Sequence, residues 1–304
     1  MPRASWHGGG MQLETPDARA ALPPRMTRLG RWVLLACAAL WAASLIVVLV
    51  AIPEGAPTSA DPGAPVVPHW ASLLPPAVGI LVALLLPLRP VAQPALPGHR
   101  GRLVASTVGL LALAAAFPIV ASQPWEGGEA YVLAKAVLLV AVPAVLVLAL
   151  RGAVRIERRR GAWRWWAPAL VVAAWALVQL GPWRPASDFS AYDPTTIIVG
   201  ALATAITAGV GEELFYRRWL QTRLEAILGA WPGIALATTL FALMHVFSHG
   251  TGDPIVDVAR VVVAQGSFGL FVAIVWWRYR SLAAIIVAHL LINGWGPLVH
   301  LMAS

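Results

Sequence analysis

The sequence predicts an all-α fold: a polytopic transmembrane helix bundle of about 8–9 spans, with a candidate active site between its C-terminal helices. Three observations carry this reading. The 304 residues are 59% hydrophobic and only 12% charged, against roughly 25% charged residues in soluble domains. Mean hydropathy is +0.73. Apolar runs recur along the chain, many close to the ~20 residues that cross a hydrocarbon core.

The balance of charge narrows the partners. Net charge is +8 from 22 basic residues, of which Lys135 is the single lysine. Nucleic acid would require a basic stripe on a soluble face. Here the arginines fall between apolar runs, as in proteins oriented in a bilayer. Cys37 is the only cysteine, which excludes a disulfide framework or thiolate metal cluster.

Residues 1–31 are polar and rich in Pro, Gly and Arg, and are expected to form a disordered cytoplasmic tail. Candidate spans follow near 32–52, 70–88, 103–121, 131–150, 167–183, 195–216, 233–247, 255–277 and 281–302. The run after Arg31 is too long for a secretory signal core of about 7–15 residues, so a retained helix is expected. The eighth run carries Asp257, Arg260 and Gln265, which makes its outer end the least secure. Segments 32–183 are read as N-terminal membrane helices and 195–302 as a C-terminal membrane domain. Arginines cluster before the first span and after the second, fourth, sixth and eighth, whereas the alternate loops carry mostly acids. The positive-inside rule then places the N-terminus in the cytoplasm. Trp163, Trp165, Trp166, Trp276 and Trp277 lie beside arginines and are assigned to the headgroup layer. The Arg/Ala/Pro-rich composition points to a GC-rich bacterial genome, hence a bacterial plasma membrane.

Ionisable groups inside spans each cost about 2.5–3.5 kcal/mol on insertion scales and so mark function. The first five spans contain only Lys135, near enough to a helix end to snorkel. The last third of the chain carries Glu212, Glu213, Arg217, His245, His289 and Asn293. Neighbouring helical residues point about 100° apart, so Glu212 and Glu213 are not expected to face one site. Glu213 and Arg217 have the spacing of a helical ion pair. This leaves Glu212 without a local cation, free to face a cavity. His289 and Asn293, four apart, share a face, as oxyanion donors would or as polar contacts between helices would. His245 and His249 have a spacing that can hold a metal, although His249 is followed by a Gly/Pro-containing exit. His69, His99 and His300 are read as solvated. Gly209, Gly211, Gly294 and Gly296 would let helices crowd together around the polar residues.

Taken together, the segments Glu212-Glu213-Leu-Phe-Tyr-Arg217, Phe241-Ala-Leu-Met-His245 and His289-Leu-Leu-Ile-Asn293 match EExxxR, FxxxH and HxxxN. Their order on three predicted helices resembles the CPBP family of intramembrane proteases, which includes the type II CaaX prenyl endopeptidases. The resemblance covers roughly residues 195–302. It implies an intramembrane endopeptidase acting on a hydrophobic or lipidated peptide or protein. It also implies Glu212 as the base that activates water together with His245, His289 and Asn293 as oxyanion donors, and Glu213 and Arg217 as supporting residues. Glu212, His245 and His289 can also be written as three ligands of a divalent metal such as zinc, with an open position for water. Two other readings stand beside this one: a non-enzymatic membrane scaffold or chaperone, and a proton-coupled transporter. Assembly of one site requires the sixth helix to run past Arg217 towards Gly229, a C-terminal cap glycine, with the seventh starting later.

Overall fold

Thr27 opens the first helix, its hydroxyl accepting from the Gly30 amide at 2.9 Å, as an N-cap hydroxyl does. The computed structural model describes residues 25–57, 64–86, 94–123, 128–157, 166–185, 187–247 and 252–303. Nine helices carry the fold among them: α1 (Arg28–Ala51), α2 (His69–Leu85), α3 (Arg100–Ala121), α4 (Gly128–Ala149), α5 (Trp166–Gln179), α6 (Pro194–Leu228), α7 (Ala230–Leu243), α8 (Pro254–Tyr279) and α9 (Leu282–Ala303). Each expected span has its helix. Six are long and apolar enough to cross a membrane, while α2, α5 and α7 are shorter. Most of the expected tail, residues 1–24, lies outside the described residues, but 28–31 are already helical.

Two short antiparallel ribbons tie loops at opposite ends of the bundle. β1 (Ala56–Pro57) pairs with β2 (Val66–Val67) between α1 and α2. β3 (Ala95–Pro97) pairs with β4 (Val154–Ile156), joining the start of α3 to the exit of α4. The second ribbon packs beneath the end of α6, where Ala226 meets Ala95, Leu103 and Ala153. At this same end the Thr27 amide donates to the Leu228 carbonyl at 3.1 Å. Arg278 donates to Leu84 O at 2.8 Å, and Arg280 pairs with Glu225. The arginine-bearing ends of α1, α3, α4, α6 and α8 thus meet on one side.

Asp193 caps α6, accepting from the Thr195 and Thr196 amides, with Pro194 at the first helical position. That position needs no N–H and suits proline. Hydrogen bonding from Thr196 holds the exposed Asp193 carboxyl below the usual carboxylate range. α6 runs for 35 residues to Leu228, confirming the extension required for a single site. It stops at Gly229, whose φ of 101° favours glycine. α7 begins at once, at Ala230, earlier than expected rather than later.

α8 is the interior helix, packed mainly against α1, α2 and α7. Its supposedly insecure outer end is regular, with Asp257 and Arg260 both buried. Trp175 of α5, fully buried, stacks on Phe271 of α8 at 5.4 Å. Two solvation assignments are corrected. His69 is buried and its Nε2 bonds Ile52 O at 2.8 Å. Trp276 is buried and donates to Thr222 Oγ1 at 3.0 Å. Trp163 and Trp165 lie outside the described residues.

Candidate active site

Residues Ala205–Gln221 of α6 are wound as a π-helix, and a shorter π stretch, Ala136–Ala141, interrupts α4. Such winding is rare beyond single turns and concentrates at functional sites. In α4, Pro143 follows the stretch and has no N–H to return to the preceding turn, which favours a local change of pitch. The two π stretches pack against each other. Gly211 permits this, since a Cβ there would lie 2.8 Å from Val140 Cγ2. Gly209 does the same for α9, where Leu290 would be 2.6 Å away. Gly294 has no such role, with nothing within 4 Å.

Glu212 and Glu213, both fully buried, lie on this widened turn. Oε1 of Glu212 is paired with Lys135 Nζ at 2.5 Å. Its Oε2 faces His245 Nε2 at 4.0 Å and His289 Nε2 at 3.8 Å. Glu213 Oε1 bonds His289 Nδ1 at 2.7 Å, and its Oε2 lies 3.6 Å from Arg217 Nε. Arg217, wholly buried, also sits over the Phe241 ring at 4.3 Å. His245 Nδ1 bonds Phe241 O at 2.9 Å. A carbonyl only accepts, so Nδ1 carries a proton, and Nε2 is the ring nitrogen turned towards Glu212.

The structure therefore brings Glu212, Glu213, Arg217, His245 and His289 together, with three departures from the sequence reading. Glu212 is not without a cation. The two glutamates do not diverge to separate sites, because both reach His289, from its two ring nitrogens. His245 lies in the turn beyond the end of α7 rather than inside a helix. Asn293 is exposed and lines, with His289, a groove of about 430 Å³ between α6 and α9. The other walls are apolar, including Ile198, Leu202, Leu290 and Leu298. His249 lies outside the described residues.

Lys135 was the residue missed. It is buried, not snorkelling. The available signal was its uniqueness: the only lysine in the chain, inside a span where a buried charge calls for a partner. With it, two carboxylates face two permanent cations. Each charge offsets the desolvation of another, which is what makes such burial tolerable.

That balance bears on the metal expectation. Both imidazoles are held through Nδ1, as metal-bound histidines often are. Yet Lys135 already occupies one Glu212 oxygen, and a divalent ion at the other would add charge to a neutral cluster. The 3.8–4.0 Å separations also exceed those around a shared tetrahedral zinc with bonds of about 2.0–2.1 Å. Among the described residues, no group of three or more His, Cys, Asp or Glu side chains is arranged to hold a metal ion. The donor set as arranged does not fit one.

Residues 194–295 match the family model described as type II CAAX prenyl endopeptidase Rce1-like. This segment is similar to the Rce1-like endopeptidases. The match spans the two glutamates, Arg217, both site histidines and Asn293, and agrees with the resemblance of the three motifs. No curated protein and no solved structure matches the chain. The Rce1-like match supports a CAAX-type intramembrane endopeptidase, and so a hydrolase, in general terms. With its long apolar helices, the chain is an integral, multi-pass membrane protein that resides in a lipid bilayer.

Proposed function

We propose that the protein hydrolyses a peptide bond in a hydrophobic or lipidated peptide, with Glu212 as general base. One observation carries the reading: a fully buried carboxylate oxygen faces two imidazole nitrogens at 3.8 and 4.0 Å. Polar groups at such separations are readily bridged by one water. Glu212 Oε2 takes a proton from that water while His245 Nε2 orients it, and the oxygen adds to the scissile carbonyl carbon. The developing oxyanion is met by His289 Nε2–H and the Asn293 amide. The Glu213 carboxylate at Nδ1 holds the His289 ring so that Nε2 faces the reacting centre. As the C–N bond breaks, the proton held by Glu212 passes to the leaving amine.

The groove between α6 and α9 supports an apolar substrate, since it leads along lipid-like walls to His289 and Asn293. The arginine-rich end is assigned to the cytoplasmic face of a bacterial plasma membrane, from the positive-inside rule and the Arg/Ala/Pro-rich composition. The test compares purified wild type and Glu212→Gln on an internally quenched farnesylated CAAX peptide and a mixed membrane-peptide library, with and without chelator. Cleavage is expected to disappear in the variant; because Glu212→Gln leaves buried Lys135 without its carboxylate, its unfolding temperature in detergent is measured alongside to separate loss of the base from loss of fold. Chelator should have no effect. Equal activity in the two proteins overturns the assignment. Loss with chelator, restored by added cation, makes the histidines ligands instead.

A further inference from the structure

We propose that Lys135 is a positioning residue for this reaction: its ammonium holds Oε1 of Glu212 so that Oε2 alone is presented to His245 and His289. The inference rests on the proposed function and deepens it. Lys135 comes from α4, outside the Rce1-like segment, so nothing in the three motifs assigns it.

Three observations converge. Lys135 is buried, with its Nζ 2.5 Å from Glu212 Oε1 and 5.4 Å from the Tyr131 ring centre. The facing histidines lie only on the Oε2 side. The backbone that delivers Lys135 is held against Glu212 by the close approach of Val140 to Gly211, the residue next to Glu212. A carboxylate on a flexible side chain can swing, and either oxygen can turn inward. An ammonium fixed on one oxygen removes that freedom before substrate arrives. The residue type is apt, because lysine presents a compact point charge while an arginine fork engages both carboxylate oxygens.

The closing experiment uses full-length protein and the farnesylated CAAX peptide. Lys135→Met is expected to lower kcat about a hundredfold, with KM within about twofold. Lys135→Arg should keep the wild-type unfolding temperature in detergent yet leave kcat low, because the fork captures Oε2 as well. Lys135→Met combined with Glu212→Gln should unfold at a higher temperature than Lys135→Met alone, since neither charge is then stranded. Wild-type kcat in Lys135→Met overturns the inference. So does Lys135→Arg restoring both stability and kcat, which would leave lysine as counter-charge only. If Lys135→Met does not fold, the arginine variant decides. Absence of cleavage by wild type overturns the proposed function and this role with it, an outcome distinct from an active wild type with active Lys135 variants.

Discussion

The two halves of α6 differ more than most pairs of separate helices. From Pro194 to Ile206 nearly every side chain points out of the protein, and Ile198, Val199, Leu202 and Ile206 are among its exposed apolar residues. From Thr207 to Leu228 most positions are buried, including Glu212, Glu213, Arg217, Gln221 and Glu225. One continuous rod thus passes through two solvents. Lipid accepts apolar side chains and rejects charge. The protein interior accepts charge wherever a partner is fixed in advance, as Lys135, Arg217, His289 and Arg280 are here.

That contrast is sharpest where a partner is taken away. Glu213→Gln strands Arg217 and removes the anchor of His289. Losing one member of a buried pair costs about 3–5 kcal/mol, so thermal unfolding in detergent should fall steeply, and an unchanged midpoint would count against the pair. Two glycines test the same contrast by volume. Gly211→Ala drives a methyl into Val140 and should destabilise by about 1–3 kcal/mol, the range for overpacking. Gly200→Ala, in the outward half with nothing within 4 Å, should instead stabilise by about 0.5–1 kcal/mol through helix propensity. If the two substitutions shift the unfolding midpoint equally, the halves are not solvated differently.

The positions of all nine helices were legible, because apolar length and arginine punctuation are direct imprints of lipid and its interface. The buried half of α6 was cut short at residue 216 because it is solvated by protein and reads as polar. The site was legible where its partners are local in sequence, as for Glu213 with Arg217. It was illegible where the partner is remote: nothing near Glu212 announces Lys135, 77 positions away. The expected divergence of the two glutamates failed for another reason. It assumed that side chains about 100° apart must face separate sites, whereas the His289 ring lies between them and turns one nitrogen to each.

The π winding of α6 limits how the chain length can vary. A residue gained or lost in a surface loop costs little, since closure entropy grows only slowly with length. Within Ala205–Gln221 a single deletion invites the backbone back to ordinary pitch, and each residue of phase is worth about 100°. Glu212 would turn from Lys135, and Glu213 from His289 and Arg217, in one step. The segment therefore acts as a ruler that fixes spacing: its residues can be exchanged one for another, but not inserted or removed.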